Sequence, residues 1–340
     1  MNRDRIKVFK EKLDNLTISD YHGLHSPGFT CYLNSVLQVL FMTENFRDAI
    51  KSCSENSTTI DRHLKRLFAD LEKSTAQTHN ITRKLGITDV YKQCDAAEYF
   101  QKILSLTSPE VSEIFKGELN HKLTCLCCKK SHDQKSFFWI LPIVVEGSHH
   151  QTYSMVNGFN VFFKREKMCG DKIFCNWCQK KQEVEFVCEI TQNPQILTLL
   201  LKRFSFDHRR KCYVKLNCKV DVPQTLHIKK CRYELYALVN HFGNLTRGHY
   251  TADIKSFETG EWYNFNDQIV EMVKDSFFGS GNSSVRSQTA YLLMYRKVFR
   301  NADKSTQETQ STRSDVEVGR RERRDSSSSS LACCSDRGKT

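Results

Sequence analysis

The stretch Tyr21-His-Gly-Leu-His-Ser-Pro-Gly-Phe-Thr-Cys31-Tyr-Leu-Asn-Ser-Val-Leu-Gln-Val-Leu-Phe41 changes character halfway along. Gly23, Pro27 and Gly28 punctuate its first half as a loop. In its second half Leu33, Val36, Leu37, Leu40 and Phe41 recur at the spacing of one buried helix face. Thr30 stands at the N-cap of that helix, which puts Cys31 on its first turn. Free amides and the positive end of the helix dipole favour an anion there, so the thiol is expected to ionise below the ~8.5 of free cysteine. A thiolate at a loop-to-helix junction is what a cysteine nucleophile needs. Taken alone, though, a cysteine at a helix start is more often a small buried hydrophobe. A nucleophile also requires a base.

The chain around this stretch has 340 residues, 39% of them hydrophobic and 11% aromatic, enough for a substantial core. Fifteen cysteines in a secreted chain would mean disulfides. Here the segment from Met1 to Lys10 has no apolar signal region, and no run is long enough to span a bilayer. The expected setting is therefore reducing and intracellular, in cytoplasm, nucleus or both, where cysteines serve metal, catalysis or packing. The net charge is +12, and residues 160–235 hold sixteen Lys/Arg against eight Asp/Glu. Such a surface suits an acidic partner or is simply a solvated basic face. With no RNA-binding aromatic signature or helix-turn-helix pattern, nucleic acid is not an expected partner.

Residues 1–20 read as a polar lead-in, and residues 44–90 as helical runs such as Ile60 to Leu71. Asp95 to Leu106 follows as an amphipathic helix, and the helical block is expected to end near Pro109. From Leu119 the texture turns to strands. Cys125-Leu-Cys-Cys128 and Cys175-Asn-Trp-Cys178 each stand at the tip of an expected hairpin, the spacing of a tetrahedral four-thiolate zinc site. Four sulfurs saturate the ion, so such a zinc is structural, and Cys127 is a spare. Phe137 to Ile143 and Ile196 to Phe206 read as apolar strands, the second running into Lys202-Arg203-Phe204, and Tyr233 to Asn240 is a further strand.

The base comes next. His249 opens the strand-like run Tyr250 to Ile254, and a turn at Glu258-Thr259-Gly260 reverses the chain into Trp262 to Asp267. Paired as a hairpin, these strands place Asn266 opposite His249 to within about two positions. An amide or carboxylate there can accept from the imidazole and fix its tautomer. Cys, then His, then Asn or Asp is the order of a papain-type thiol hydrolase. Gln288 to Arg296 closes the domain as a buried strand. Beyond it, residues 299–340 read as a disordered Ser/Arg-rich tail.

Five motifs in this order resemble the ubiquitin-specific proteases, over roughly residues 21–298. They are Gly23-Leu24 through Gln38, Gln93-Cys94-Asp95-Ala96-Ala97-Glu98, the two Cys-x-x-Cys pairs, Leu201-Lys202-Arg203-Phe204, and the group Gly248-His249-Tyr250, Trp262 to Asp267 and Ala290 to Leu293. The resemblance implies an α+β, papain-like right hand: helical thumb, zinc-bearing β fingers (about 119–190) and β palm. It implies Cys31 as nucleophile, His249 as general base, Asn266 as its orienting partner and Asp267 as a supporting acceptor. Asp95 and Glu98 match acidic positions that hold the basic tail of ubiquitin, and Tyr250 flanks the channel for its Gly-Gly end. Cys125, Cys128, Cys175 and Cys178 would hold one structural zinc, and no catalytic cofactor is implied. The sequence departs from the family where an oxyanion-stabilising Asn usually stands, five residues before the cysteine: here it is Ser26. Losing one oxyanion donor reduces rates by ~10²–10³ where nothing replaces it. Phe29, where small or polar residues are common, is a lesser departure.

The implied function is thiol-dependent removal of ubiquitin from proteins. Two alternatives keep the hand: a weakly active or inactive ubiquitin-binding scaffold, suggested by Ser26, and a protease for a ubiquitin-like modifier. A zinc-dependent nucleic-acid binder has only the charge and the cysteine pairs behind it.

Overall fold

The computed structural model describes residues 21–298, apart from 55–57, 147–150, 210, 245–246 and 280. The lead-in 1–20 and the tail 299–340 lie outside the described residues. Helix α1 (Cys31–Phe41) starts at the cysteine, and all eleven of its residues are buried, not one face alone. Burying a polar group is costly unless it is bonded, and the two amides of this helix each place their NH2 group, though not their oxygen. Gln38 Nε2 donates to the His22 carbonyl (3.0 Å) and Asn34 Nδ2 to Asp267 Oδ1 (2.7 Å). Against α1 pack α2 (Glu44–Ser52) and α5 (Ala96–Leu106), α3 (Asp61–Leu71) meets it through Phe68 on Phe41, and α4 (His79–Lys84) packs on α3. The helical block does not stop at Pro109. It continues as α6 (Pro109–Ser112) and a 3-10 turn (Glu113–Phe115), because proline is well placed at a first helical position. Rings of Phe41, Phe68, Phe46, Phe115 and Phe100 meet edge-on in a chain with centroids 5.2–6.3 Å apart, locking these helices together.

The fingers are a four-stranded sheet of β1 (Gly117–Cys125), β2 (Ser131–Phe138), β5 (Glu166–Cys175) and β6 (Lys180–Gln192), in the order β2-β1-β6-β5. The palm uses β3 (Ile140–Val144), β7 (Ile196–Lys202), β12 (Cys231–Gly243), β13 (Gly248–Lys255), β14 (Trp262–Asn266), β15 (Ile269–Met272) and β17 (Ala290–Val298). Their order is β15-β14-β13-β12-β17-β7-β3, with β11 (Thr225–Ile228) paired to β12. Smaller pieces complete it: a sheet β16 (Ser284–Ser287), β10 (Val220–Pro223), β4 (Tyr153–Ser154), the helix α7 (Met155–Phe162), and the hairpin β8 (Phe204–Asp207)–β9 (Cys212–Lys215).

Two expected strands are each broken in two. The run from Phe137 to Ile143 breaks at Trp139, where the chain leaves the fingers sheet for the palm. The run into Phe206 breaks at Arg203, whose guanidinium turns inward and is fully buried. It donates to the carbonyls of Ala290 (2.6 Å), Leu216, Cys218 and Ser287 (3.0 Å each), which ties β17, β7 and the root of the β8–β9 hairpin together. Two apolar cores lie on opposite faces of the palm. Leu292 and Met294 of β17 join the core with the helices, while Leu293 and Tyr295 join the core over α7 and β10. Among the described residues no helix is long and apolar enough to cross a membrane.

Candidate active site

Cys31 opens α1 at 4% exposure, and the loop before it holds it against the palm. Thr30 occupies the N-cap, yet its hydroxyl makes no cap bond to the helix; it shares a hydrogen bond with Ser26 Oγ (3.1 Å). Ser26 Oγ itself donates to the Gly28 carbonyl (2.9 Å), so its hydrogen is committed within the loop. The helix uses Thr30's carbonyl for Leu33 and Asn34 (3.0 Å each). The amides of Cys31 and Tyr32, like all first-turn amides, find no acceptor within the helix.

Strand β13 carries His249, and the β13–β14 register pairs Ala252 with Phe265, which puts Asn266 within two positions of it across the hairpin. His249 Nε2 lies 2.7 Å from Asn266 Oδ1. An amide oxygen only accepts, so Nε2 carries a hydrogen and Nδ1 is left for the thiol. Interaction with the neighbouring Cys31 thiol, helped by Asn266 and by the charge of Asp267, pushes the imidazole up to about 9 against the opposing effect of burial. Next along the strand, the Tyr250 amide donates to Cys31 Sγ (3.4 Å). The structure thus brings Cys31, His249 and Asn266 together from a helix and two strands.

Asp267 closes the strand in the left-handed region (φ 51°), which Asp adopts more readily than most residues. Its carboxylate accepts from Asn34 of α1 (2.7 Å), its carbonyl accepts from the Leu24 amide (2.8 Å), and burial raises its pKa. A Cβ on Gly23 would collide with the backbone of Asp267 and Gln268. Asp267 therefore ties the helix and its entry loop to the strand that bears Asn266.

The remaining expected residues divide. Tyr250 is buried, its ring 4.7 Å from His241 and 6.0 Å from Tyr291. Asp95 caps α5, with Oδ1 accepting from Ala97 N (2.8 Å) and Glu98 N (3.0 Å), and Oδ2 takes the Tyr291 hydroxyl. Both its oxygens are engaged. Glu98, one turn along, is exposed. Gln93 has a role that no spacing in the sequence reveals: Nε2 donates to the Gly248 carbonyl (2.6 Å) while Oε1 accepts from the Gly248 amide (2.7 Å). That two-point clamp fixes the residue before His249. The Asn34–Asp267 bond is the other hidden link. Both side chains stand inside motifs visible in the sequence, but they do no chemistry themselves, so only the fold reveals what they hold.

At the fingertips Cys125, Cys128, Cys175 and Cys178 bring their sulfurs within 4.8 Å of one another. Cys125 Sγ is 3.9 Å from Cys178 Sγ, and Cys128 Sγ is 3.7 Å from Cys175 Sγ. A tetrahedron with ~2.3 Å zinc–sulfur bonds has sulfurs ~3.8 Å apart. The residue after each second cysteine, Lys129 (φ 59°) and Gln179 (φ 52°), is left-handed, so the two knuckles turn alike. The four thiols fit a tetrahedral metal ion, and Cys127 is exposed outside the set.

Comparison with known proteins follows the same lines. A family model described as ubiquitin carboxyl-terminal hydrolase matches residues 22–295. Ubiquitin carboxyl-terminal hydrolase 47 of Drosophila melanogaster is 27% identical over 385 aligned residues, taking in 82% of this chain and 25% of that protein. Ubiquitin carboxyl-terminal hydrolase 48 of Gallus gallus is 30% identical over 333, taking in 81% of this chain and 32% of that protein. This chain thus spans about a quarter to a third of the length of these curated relatives. A chain in the structure of the SAGA Ubp8/Sgf11/Sus1/Sgf73 DUB module bound to ubiquitin aldehyde has the same fold, with TM-score 0.69 and 23% identity, covering 87% of this chain and 75% of that one. A family match over most of the chain, on a fold that brings a thiol, an imidazole and an amide together, means that this chain belongs to the ubiquitin carboxyl-terminal hydrolase family, in its ubiquitin-specific protease form.

Proposed function

We propose that this chain is a deubiquitinating cysteine peptidase that hydrolyses the peptide or isopeptide bond after the C-terminal glycine of ubiquitin on protein conjugates. The observation that carries the proposal is His249, bonded to Asn266 and next in the strand to Tyr250, whose amide donates to Cys31 Sγ, in a chain of this family. The Cys31 thiolate attacks the glycine carbonyl, and the imidazolium of His249 protonates the amine as the C–N bond breaks. Water, deprotonated by His249, then releases ubiquitin from the thioester. Asn266 holds the imidazole in the tautomer that does this, and Asp267 with Asn34 steadies Asn266's strand. The Cys31 amide can donate to the oxyanion. Exposed Glu98 is the better placed of the two acidic residues to meet ubiquitin's basic tail, since both oxygens of Asp95 are engaged.

The four fingertip cysteines would hold one zinc ion, which would supply no chemistry to the reaction and would cross-link the two knuckles. Residues 21–298 would be the catalytic domain, with ubiquitin, or a ubiquitin-like modifier with the same Gly-Gly tail, as its partner.

One observation favours a second reading, a ubiquitin-binding scaffold with feeble turnover: Ser26, at the position of the usual oxyanion donor, spends its hydrogen on Gly28. Ubiquitin carrying a C-terminal electrophile decides between them, alongside Cys31→Ala and a ubiquitin-like probe. A Cys31-dependent adduct with ubiquitin is expected. No adduct with either probe refutes the enzyme, and an adduct with the ubiquitin-like probe alone reassigns the substrate. Ser26→Asn should raise turnover; an unchanged rate would mean that backbone donors suffice.

A further inference from the structure

Asn266 can serve His249 in one orientation only. Its Oδ1 accepts from His249 Nε2 at 2.7 Å, which leaves Nδ1 for the thiol. A half-turn of the amide exchanges oxygen for NH2 with almost no change of shape. The NH2 would then face Nε2, drive the ring hydrogen onto Nδ1 and disable the base. A carboxylate has no such wrong side, so an asparagine at this position needs an acceptor that holds its NH2 in place. Among the described residues Asn266 Nδ2 has no hydrogen-bond partner.

The alternation of β13 puts His249, Thr251 and Asp253 on one face. The register that pairs Ala252 with Phe265, carried one step further, sets Thr251 directly opposite Asn266. Opposite residues share a face, with Cβ atoms ~4.5–5.5 Å apart, and the His249–Asn266 bond is the diagonal contact of that same face. Thr251 is 5% exposed, and its Oγ1 has no partner among the described residues, which is rare for a buried hydroxyl. Its neighbours on this face are committed elsewhere. Asp253 accepts from Asn240 Nδ2 and Asn264 Nδ2 (2.6 Å each), and Asn240 Oδ1 accepts from the Thr289 hydroxyl (3.0 Å). A donor lacking an acceptor and an acceptor lacking a donor thus stand across from one another beside the imidazole.

We propose, resting on the deubiquitinase reading, that Thr251 is a positioning residue whose hydroxyl oxygen accepts from the Asn266 NH2 and so locks the amide with its oxygen toward His249. Rotation between staggered positions about χ1 of Thr251 closes the remaining gap. Thr251 touches neither the substrate nor the reacting atoms and acts through Asn266 alone.

Thr251→Val keeps the shape of the side chain and removes the acceptor. On ubiquitin carrying a small fluorogenic amide, kcat of the full chain should fall about three- to tenfold, as one lost hydrogen bond allows, with KM little changed. Thr251→Ser should restore it. The alkaline limb of kcat/KM should also move to lower pH in Thr251→Val, because an NH2 turned toward the ring opposes its protonation. The other titratable groups facing His249 are Cys31 of α1, Asp267 after β14 and His241 of β12, which burial holds neutral with a pKa of about 4. The substitution leaves all three in place. In an Asn266→Asp background the two carboxylate oxygens are equivalent, so Thr251→Val should there change kcat by less than about twofold. An equal loss in both backgrounds would mean that the substitution acts on packing, and overturns the proposal. So does a Thr251→Val chain with unchanged kcat and pH profile. Nitrogen-15 NMR of the His249 ring reads the lock without turnover. The neutral imidazole should carry its hydrogen on Nε2 in the wild type and move it toward Nδ1 in Thr251→Val. An unchanged tautomer overturns the proposal even where the chain is inactive. No adduct with an electrophilic ubiquitin or ubiquitin-like probe overturns the deubiquitinase reading instead, and the ring's tautomer still decides the lock.

Discussion

Gln93→Glu removes one hydrogen from the link between the thumb and the histidine strand while keeping the side chain's shape. Gln93 meets the Gly248 carbonyl at 2.6 Å and the Gly248 amide at 2.7 Å. The ionised carboxylate still accepts from the amide but now faces the carbonyl, oxygen against oxygen. Leaving this half-buried carbonyl without its donor costs about 1 kcal/mol, the low end for an unsatisfied group, before any repulsion is added. The strand can relieve this only by shifting, and the next residue is His249. A displacement of ~1 Å at a catalytic group lowers rates by ~10²-fold, so kcat/KM on a ubiquitin substrate should fall ~10- to 100-fold with little loss of ubiquitin affinity. The check is the ratio of wild-type to variant kcat/KM as a function of pH. Protonating the new carboxyl restores a donor toward Gly248, so the ratio should shrink as pH falls. A ratio near one, or a large ratio that does not change with pH, would refute the clamp.

Three further outcomes are expected. His249 is held up at about 9 from an ordinary 6.5, so its contribution to stability is complete below about 6.5 and disappears as pH rises through about 9. Thermal midpoints between these values should decline less steeply in Asn266→Ala, which removes one partner of the protonated ring, and the alkaline limb of kcat/KM should move to lower pH; unchanged profiles would deny Asn266 its role. Gly23→Ala drives a methyl into the backbone of Asp267 and Gln268, where no flexible side chain can yield. It should destabilise the chain by about 1–3 kcal/mol in denaturant melts and slow turnover, and a wild-type melt would contradict the close approach. Elemental analysis should find about one zinc per chain, lost in Cys178→Ser together with a lower melting temperature, given apparent binding energies of ~10–16 kcal/mol for structural zinc. A metal-free chain with an unchanged melt would rule out the metal.

Much of the site was legible because its chemistry is local in sequence. The cysteine at a helix start, the His249 strand with Asn266 across its hairpin, and the two cysteine pairs each follow from spacing within about twenty residues. What escaped reading depends on contacts between distant segments. The apolar spacing of α1 implied one buried face, but the helix is buried all round, helped by acceptors that the NH2 groups of Asn34 and Gln38 find in other segments. Pro109 looked like a terminus and instead begins a further helical turn. Arg203 looked like the charged end of a strand, and no local pattern foretells four carbonyls converging on it. Thr30 has the right residue type for a cap, but Ser26 competes for its hydroxyl. The five motifs of the resemblance carried the fold, while the links among them are contacts between segments far apart in the chain.

Cys31 belongs to the helical layer and His249 to the sheet, and two side-chain amides, Gln93 and Asn34, are conspicuous among the polar straps between those layers near the site. Layer alignment is thus in series with the chemistry. A compound wedged anywhere along this seam could switch off the reaction without occupying the cleft, by spreading the layers a fraction of an ångström. The same geometry lets a companion protein that clamps helix and sheet together act as an accelerator, and the gap between sulfur and imidazole would report how firmly the hand is closed.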